Sequence, residues 1–163
     1  MPDWSRIGRC SRQKGNSFER KVAALFTKSS GIKFCRCPSS GGAHWPGDVI
    51  LVDQTKRLRV VFECKNVRLP VLKALKRCKS WAEHSIRNTG IPPDKVILIF
   101  STCKAGDWVV AIPEVLAIWL SGEICLPPPL ILWHGYYVIH IEYFIDRYLD
   151  KCITNNYEKC WTH

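Results

Sequence analysis

Acidic residues are scarce in this sequence. Fourteen Asp and Glu stand against twenty-four Lys and Arg, a formal net charge of +10 and a pI near 9.3. That balance disfavours a polycationic partner and points to a polyanion, nucleic acid first and an acidic membrane surface second. The opening Met1-Pro2-Asp3-Trp4-Ser5-Arg6 lacks the apolar run of a secretory signal, and no uninterrupted apolar stretch is long enough to span a bilayer. The expectation is a soluble, cytosolic protein with no membrane contact. The most hydrophobic region, Ile124 to Ile145, is broken by Pro127, Pro128, Pro129, His134, His140 and Glu142 and reads as buried core. Internal repeats and low-complexity segments are also missing. What is present, 163 residues with 47% hydrophobic composition, suffices for one domain with a proper core.

Cysteine is plentiful but unpatterned: nine residues, an odd number without repeated spacing, which excludes a disulfide framework. Most read as buried small hydrophobes. Cys35-x-Cys37 is too close for a zinc knuckle, and Cys152, Cys160 and His163 make only a loose trio for a structural zinc.

Residues 1–15 carry Arg6, Arg9, Arg12 and Lys14 without helical or strand period, so they read equally as a solvated tail or as a basic arm lying along phosphates. From Asn16, with Asn16 or Ser17 as N-cap, Phe18, Val22, Leu25 and Phe26 predict a helix ending near Ser29-Ser30-Gly31. Glu19 sits at the margin of its apolar stripe, either a capping-turn charge or a functional group pointing inward. A short strand at Ile32–Arg36 and a loop through Gly47 follow, then two runs, Asp48–Asp53 and Leu58–Lys65, that predict a β-hairpin. Leu72, Leu75, Cys78, Ala82 and Ile86 predict a helix within 69–87 with a basic outer face. Strands at Lys95–Phe100 and Trp108–Ile112, a helix at Pro113–Leu120, a second hairpin (Leu130–Trp133 and Tyr136–Tyr143) and a terminal helix to about Cys152 complete the order.

The first hairpin carries chemistry. A loop centred between Thr55 and Lys56 pairs residues whose numbers sum to 111, which sets Asp48 opposite Glu63 on one face. Alternation puts Lys65 on that face too, with the Cys64 side chain on the other and its carbonyl beside the acids. Two carboxylates, a carbonyl and waters suit octahedral Mg²⁺, and the lysine can orient or deprotonate a polarised water for attack on a phosphodiester. The bland reading of the same residues is a solvated Asp-Glu-Lys salt bridge.

Together with Lys14-Gly15-Asn16-Ser17-Phe18-Glu19-Arg20, Ser39-Ser40-Gly41-Gly42, Pro46-Gly47-Asp48 and Glu63-Cys64-Lys65, the order of elements resembles the PD-(D/E)xK nuclease superfamily, and within it the archaeal-type Holliday-junction resolvases and their viral relatives. The resemblance covers roughly Gln13 to Leu120; Gly47 departs from it by separating Pro46 from Asp48, as does the insertion Ala43-His44-Trp45. It implies that Glu19, Asp48 and Glu63 hold a divalent metal with the Cys64 backbone carbonyl, that Lys65 positions the water, and that Ser40 assists near the scissile phosphate. Mg²⁺ is the implied cofactor, with Mn²⁺ able to substitute. The implied activity is paired hydrolysis at a four-way junction in branched double-stranded DNA, by a homodimer, in the cytoplasm on the nucleoid or as a virus-encoded intracellular enzyme. A sequence-specific restriction or homing endonuclease of the same superfamily, or a non-catalytic DNA-binding module, are the alternatives.

The expected fold is α/β: a single domain with a central mixed β-sheet flanked by helices, a restriction-endonuclease-like core, plus a C-terminal extension. Its divisions are a basic arm over 1–13, the nuclease core over 14–122, and a hairpin and helix over 123–163 packed on the core. Arg12, Lys14, Arg20, Lys21, Arg36 and Arg68 are the expected phosphate contacts. His44 reads as incidental or as a base or ligand, and Trp45 as a loop anchor or a stacking platform. Trp108–Ile112, Val115–Leu120, Trp133, Tyr136, Tyr137 and Tyr143 are the candidates for a dimer interface.

Overall fold

A computed structural model describes residues 4–38, 46–53, 55–87, 89–103, 107–122 and 131–154. Its centre is a seven-stranded mixed sheet. In chain order the strands are β1 (Phe34–Arg36), β2 (Val49–Leu51), β4 (Val61–Leu69), β5 (Val96–Thr102), β6 (Trp108–Pro113), β7 (Ile131–Trp133) and β8 (Tyr136–His140), with β3 (Arg57–Leu58) outside the sheet. The spatial order is β1-β2-β4-β5-β6-β8-β7; β4 and β5 run parallel and every other neighbour pair antiparallel. This is the predicted fold class.

Helix α1 (Trp4–Ser30) packs on one face with α4 (Glu114–Ser121) and α5 (Ile141–Phe144), while α2 (Val71–Leu75) and α3 (Cys78–Ser85) cover the other. Strand alternation decides who faces whom: Ile97 and Ile99 enter the α1 side, Val96, Leu98 and Phe100 the α3 side, so β5 is buried on both faces as its unbroken apolar run requires. Phe26 of α1 anchors the first core, meeting Phe34 and Phe62 edge-on at 5.4 and 5.1 Å. A parallel β4–β5 pair needs a crossover of about a dozen residues or more, which the α2–α3 segment supplies.

Several expectations are corrected. The helix does not start at Asn16, and neither Asn16 nor Ser17 caps it: α1 begins at Trp4, so most of the basic arm is its first turns. Residues 8–14 of those turns are all exposed and carry no apolar stripe, yet extending a helix already anchored by Phe18, Val22 and Phe26 costs little. The Leu58–Lys65 run is two strands, because β2 is too short to cover its start and β3 pairs instead with β9 (Ile153–Thr154). The single helix over 69–87 is replaced by the end of β4 and two helices broken at Lys76–Arg77; the break turns Leu72 outward, where it is half exposed. The strand predicted to Tyr143 stops at His140, and α5 begins. Irregular helical turns then run to Cys152, as expected.

The interface expected on Trp108–Ile112 is also corrected. β6 lies between β5 and β8, and Val109 to Ile112 are buried in the chain's own core. Cys152 is fully buried and its Sγ meets the Tyr148 carbonyl oxygen at 3.2 Å; Cys160 and His163 lie outside the described residues.

Candidate active site

The first hairpin has the predicted register: Val49 pairs with Phe62, numbers that sum to 111. Both side chains go to the α1 core, so their neighbours Asp48 and Glu63 share the opposite side of the ladder. Cys64 turns its side chain into the α1 core, again as alternation demands. The departure at Gly47 has a structural cause. Its φ is +86°, and a Cβ there would stand 2.8 Å from both the Phe62 carbonyl oxygen and Val61 Cγ1, so only glycine lets the chain press on β4. That contact delivers Asp48: its N–H donates to the Phe62 carbonyl at 2.7 Å, and its Oδ2 accepts the Cys64 N–H at 2.8 Å.

Only one residue pair of β2 and β4 is in register, so the strands part beside the acids and open a cleft of about 500 Å³ reached from both faces of the sheet. One wall is α1, whose Arg12, Gly15, Asn16 and Glu19 follow at i, i+3, i+4 and i+7. The floor is Asp48 and Glu63 to Val67. The other wall is the end of α3 and the turn after it, with His84, Ser85, Arg87 and Thr89.

Glu19, Asp48 and Glu63 are all buried here. Arg36 Nε lies 2.6 Å from Glu19 Oε2, and its Nη2 reaches Asn16 Oδ1 at 3.0 Å. Lys65 Nζ pairs with Glu63 Oε1. Burial, and then the Asp48 charge, push the Glu63 carboxyl up from 4.5 to about 7, although Lys65 pulls the other way. Glu19 is raised for the same two reasons, with Arg36 opposing. Burial draws the Lys65 pKa down, but Glu63 and Asp48 outweigh it, and the net direction is up. With Glu63 and Asp48 beside it, the Lys65 side chain is favoured as an ammonium in this arrangement.

The donor set fits a hard divalent cation: three buried carboxylates in one cleft, two of them made harder to ionise by the third. As arranged, no three His, Cys, Asp or Glu side chains among the described residues form a ligating group, and Arg36 and Lys65 hold two of the acids. Glu19 and Glu63 would leave those partners to join Asp48 and the Cys64 carbonyl around an ion.

Residues 10–127 match the family described as "Phage putative PDDEXK endonuclease". The chain belongs to this phage endonuclease family. Membership supports a nuclease of the PD-(D/E)xK superfamily, generally dependent on a divalent metal, with DNA as substrate. No curated protein and no solved structure matches the chain at a significant level.

The residues named from sequence fare differently. Glu19, Asp48, Glu63 and Lys65 meet in the cleft. Of the cationic set, Arg12 lines it and Arg36 is engaged with Glu19 and Asn16, whereas Lys14, two residues beyond Arg12, stands about 200° round the helix, with Lys21 near it. Arg20 and Lys21 are exposed; the Arg68 side chain, Ser40, His44 and Trp45 lie outside the described residues. Sequence reasoning missed the α3 wall, for which the only signal was its place on the helix after the Glu63-Cys64-Lys65 strand. It also missed Arg36 as the partner of Glu19. No helix among the described residues is long and apolar enough to cross a membrane.

Proposed function

We propose that the protein is a structure-selective DNA endonuclease that resolves four-way junctions by paired phosphodiester hydrolysis, with Mg²⁺ as its working ion and Mn²⁺ able to substitute. The observation that carries the hydrolytic part is the meeting of the buried Glu19, Asp48 and Glu63 with Lys65 in one cleft. Glu19, Asp48, Glu63 and the Cys64 carbonyl would hold the divalent cation, which would polarise a phosphate oxygen and a water when bound. Lys65, on the same strand face as Glu63, would orient the attacking water and steady the negative charge that builds at phosphorus. Asp48, fixed by the Cys64 N–H, is the acid that starts in place. Arg12 and Arg87 flank the cleft from its two walls and fit the phosphate backbone on either side.

Junction selection rests on the resemblance of motif order and on one feature of the sheet. The hairpin after 130, the segment with length to read bases, extends the sheet beyond β6; β7 lies four strand spacings, about 19 Å, from β4. It therefore grows away from the cleft and favours recognition of DNA shape over sequence. Paired cuts need two clefts, so the working unit is a C₂ homodimer. With Val109 to Ile112 buried, the exposed Val115 and Trp119 of α4 and the half-buried Trp133, Tyr136, Tyr137 and Tyr143 are the interface candidates that remain.

Four-way, three-way, flap and linear duplex DNAs of matched sequence, incubated with Mg²⁺, test this. The expected result is symmetric nicking of the four-way junction alone. Cleavage of linear duplex at a fixed sequence would establish the restriction-like reading instead, and light scattering giving the 18.7 kDa mass of one chain on junction DNA would remove the dimer.

A further inference from the structure

The α3 wall ends in a polar atom without a match. Ser85 is the last residue of α3 and lines the cleft beside Glu63. Its Oγ is buried and makes no hydrogen bond of good geometry among the described residues. An unmatched buried hydroxyl is a rarity that calls for a cause. Ser85 and Glu63 line the same cleft, one from the helix wall and one from the strand floor. Lys65 holds Glu63 by Oε1, and a carboxylate has lone pairs to spare for a second donor.

Resting on the metal-nuclease reading above, we propose that Ser85 is a positioning residue for Glu63: its hydroxyl donates to the carboxylate and keeps it directed into the cleft as that group leaves Lys65 for a bound divalent cation. The place of Ser85 is set by tertiary structure. Ser85 lies twenty positions after Lys65, beyond the end of β4 and α2, and only the return of α3 across β4 and β5 brings it to the cleft. In this arrangement one carboxylate is held from two sides, by a cation that must release it and by a neutral donor that need not. Partners that orient a metal-binding carboxylate without touching the ion affect affinity by about 10- to 100-fold.

Calorimetric titration of the full chain with Ca²⁺, which reads binding without turnover, is the test. Ser85→Ala should weaken Ca²⁺ binding about 10-fold or more relative to the unaltered chain, in line with that range, and raise the Mg²⁺ concentration needed for half-maximal cleavage, with an unchanged melting temperature. Ser85→Cys, close in size but a poor donor, should behave like Ser85→Ala, and Ser85→Thr should restore binding. Asp48→Asn should bind no Ca²⁺ and so marks the site being titrated. Ser85→Ala or Ser85→Cys binding Ca²⁺ as tightly as the unaltered chain overturns the inference and leaves the metal reading intact. An unaltered chain that neither binds Ca²⁺ nor cleaves overturns both.

Discussion

Replacing Glu63 by Gln should abolish cleavage and, at neutral pH, make the protein more stable. The sign follows from the site. An ordinary Glu ionises near 4.5, and Glu63 in the folded chain near 7, raised first by burial and then by Asp48. Below pH 4.5 the folded and unfolded chains both carry the proton and the group contributes no penalty. As pH rises from 4.5 through 7 the unfolded chain gives up its proton first, so the folded state loses ground, and above 7 the loss is complete. At about 1.4 kcal/mol for each tenfold, the interval between 4.5 and about 7 amounts to about 3 kcal/mol. A glutamine carries no charge and escapes this loss, while Lys65 keeps Asp48 as an acidic neighbour. For a chain of this size a gain of 1–3 kcal/mol raises the melting temperature by roughly 3–10 °C. Thermal melts at pH 4 and pH 8 are the assay: the two proteins should coincide at pH 4, and the variant should melt higher at pH 8. Ca²⁺ at pH 8 should then raise the unaltered protein and leave the variant almost unmoved, since the ion relieves the same repulsion. A variant that melts at or below the unaltered protein at pH 8 would refute the claim that Glu63 is held ionised at a cost.

Gly47→Ala should destabilise the fold by about 2 kcal/mol or more and remove activity, because the left-handed backbone alone costs a side chain 1–2 kcal/mol and the new Cβ would meet Phe62 and Val61 at 2.8 Å; chemical denaturation checks this, and unchanged stability would refute the close approach. Asp48→Asn should lose cleavage yet still bind junction DNA in a gel-shift assay, since binding rests on cations; Mg²⁺-dependent turnover by this variant would unseat Asp48 as a ligand. Lys65→Ala should be folded by circular dichroism and inactive, and wild-type rates would return Lys65 to a plain salt bridge. Deleting residues 1–12 removes the first turns of α1 and Arg12 from the cleft wall, so the slope of log affinity against log salt should fall; an identical slope would show that these turns do not touch DNA.

The sequence alone determined what short-range patterns can encode. Alternation assigned Glu63 and Lys65 to one face and Cys64 to the other, and the turn position set the 111 register that puts Asp48 beside them, because strand side chains have period two and one slip would expose the core. The apolar run at 96–100 announced a strand covered on both sides. Where partners lie far apart in the chain the pattern was silent. Trp4 to Gly15 are helical without an apolar stripe, since they extend a helix anchored further on; β3 takes β9 as partner across nearly a hundred residues, because the short β2 leaves it uncovered. Arg36 reads as one more cation until folding sets it against Glu19. The α3 wall joins the cleft only after a parallel crossover returns it over β4 and β5. Local sequence decides which way a side chain faces, but which distant group it meets depends on the surfaces left bare when the whole chain has packed.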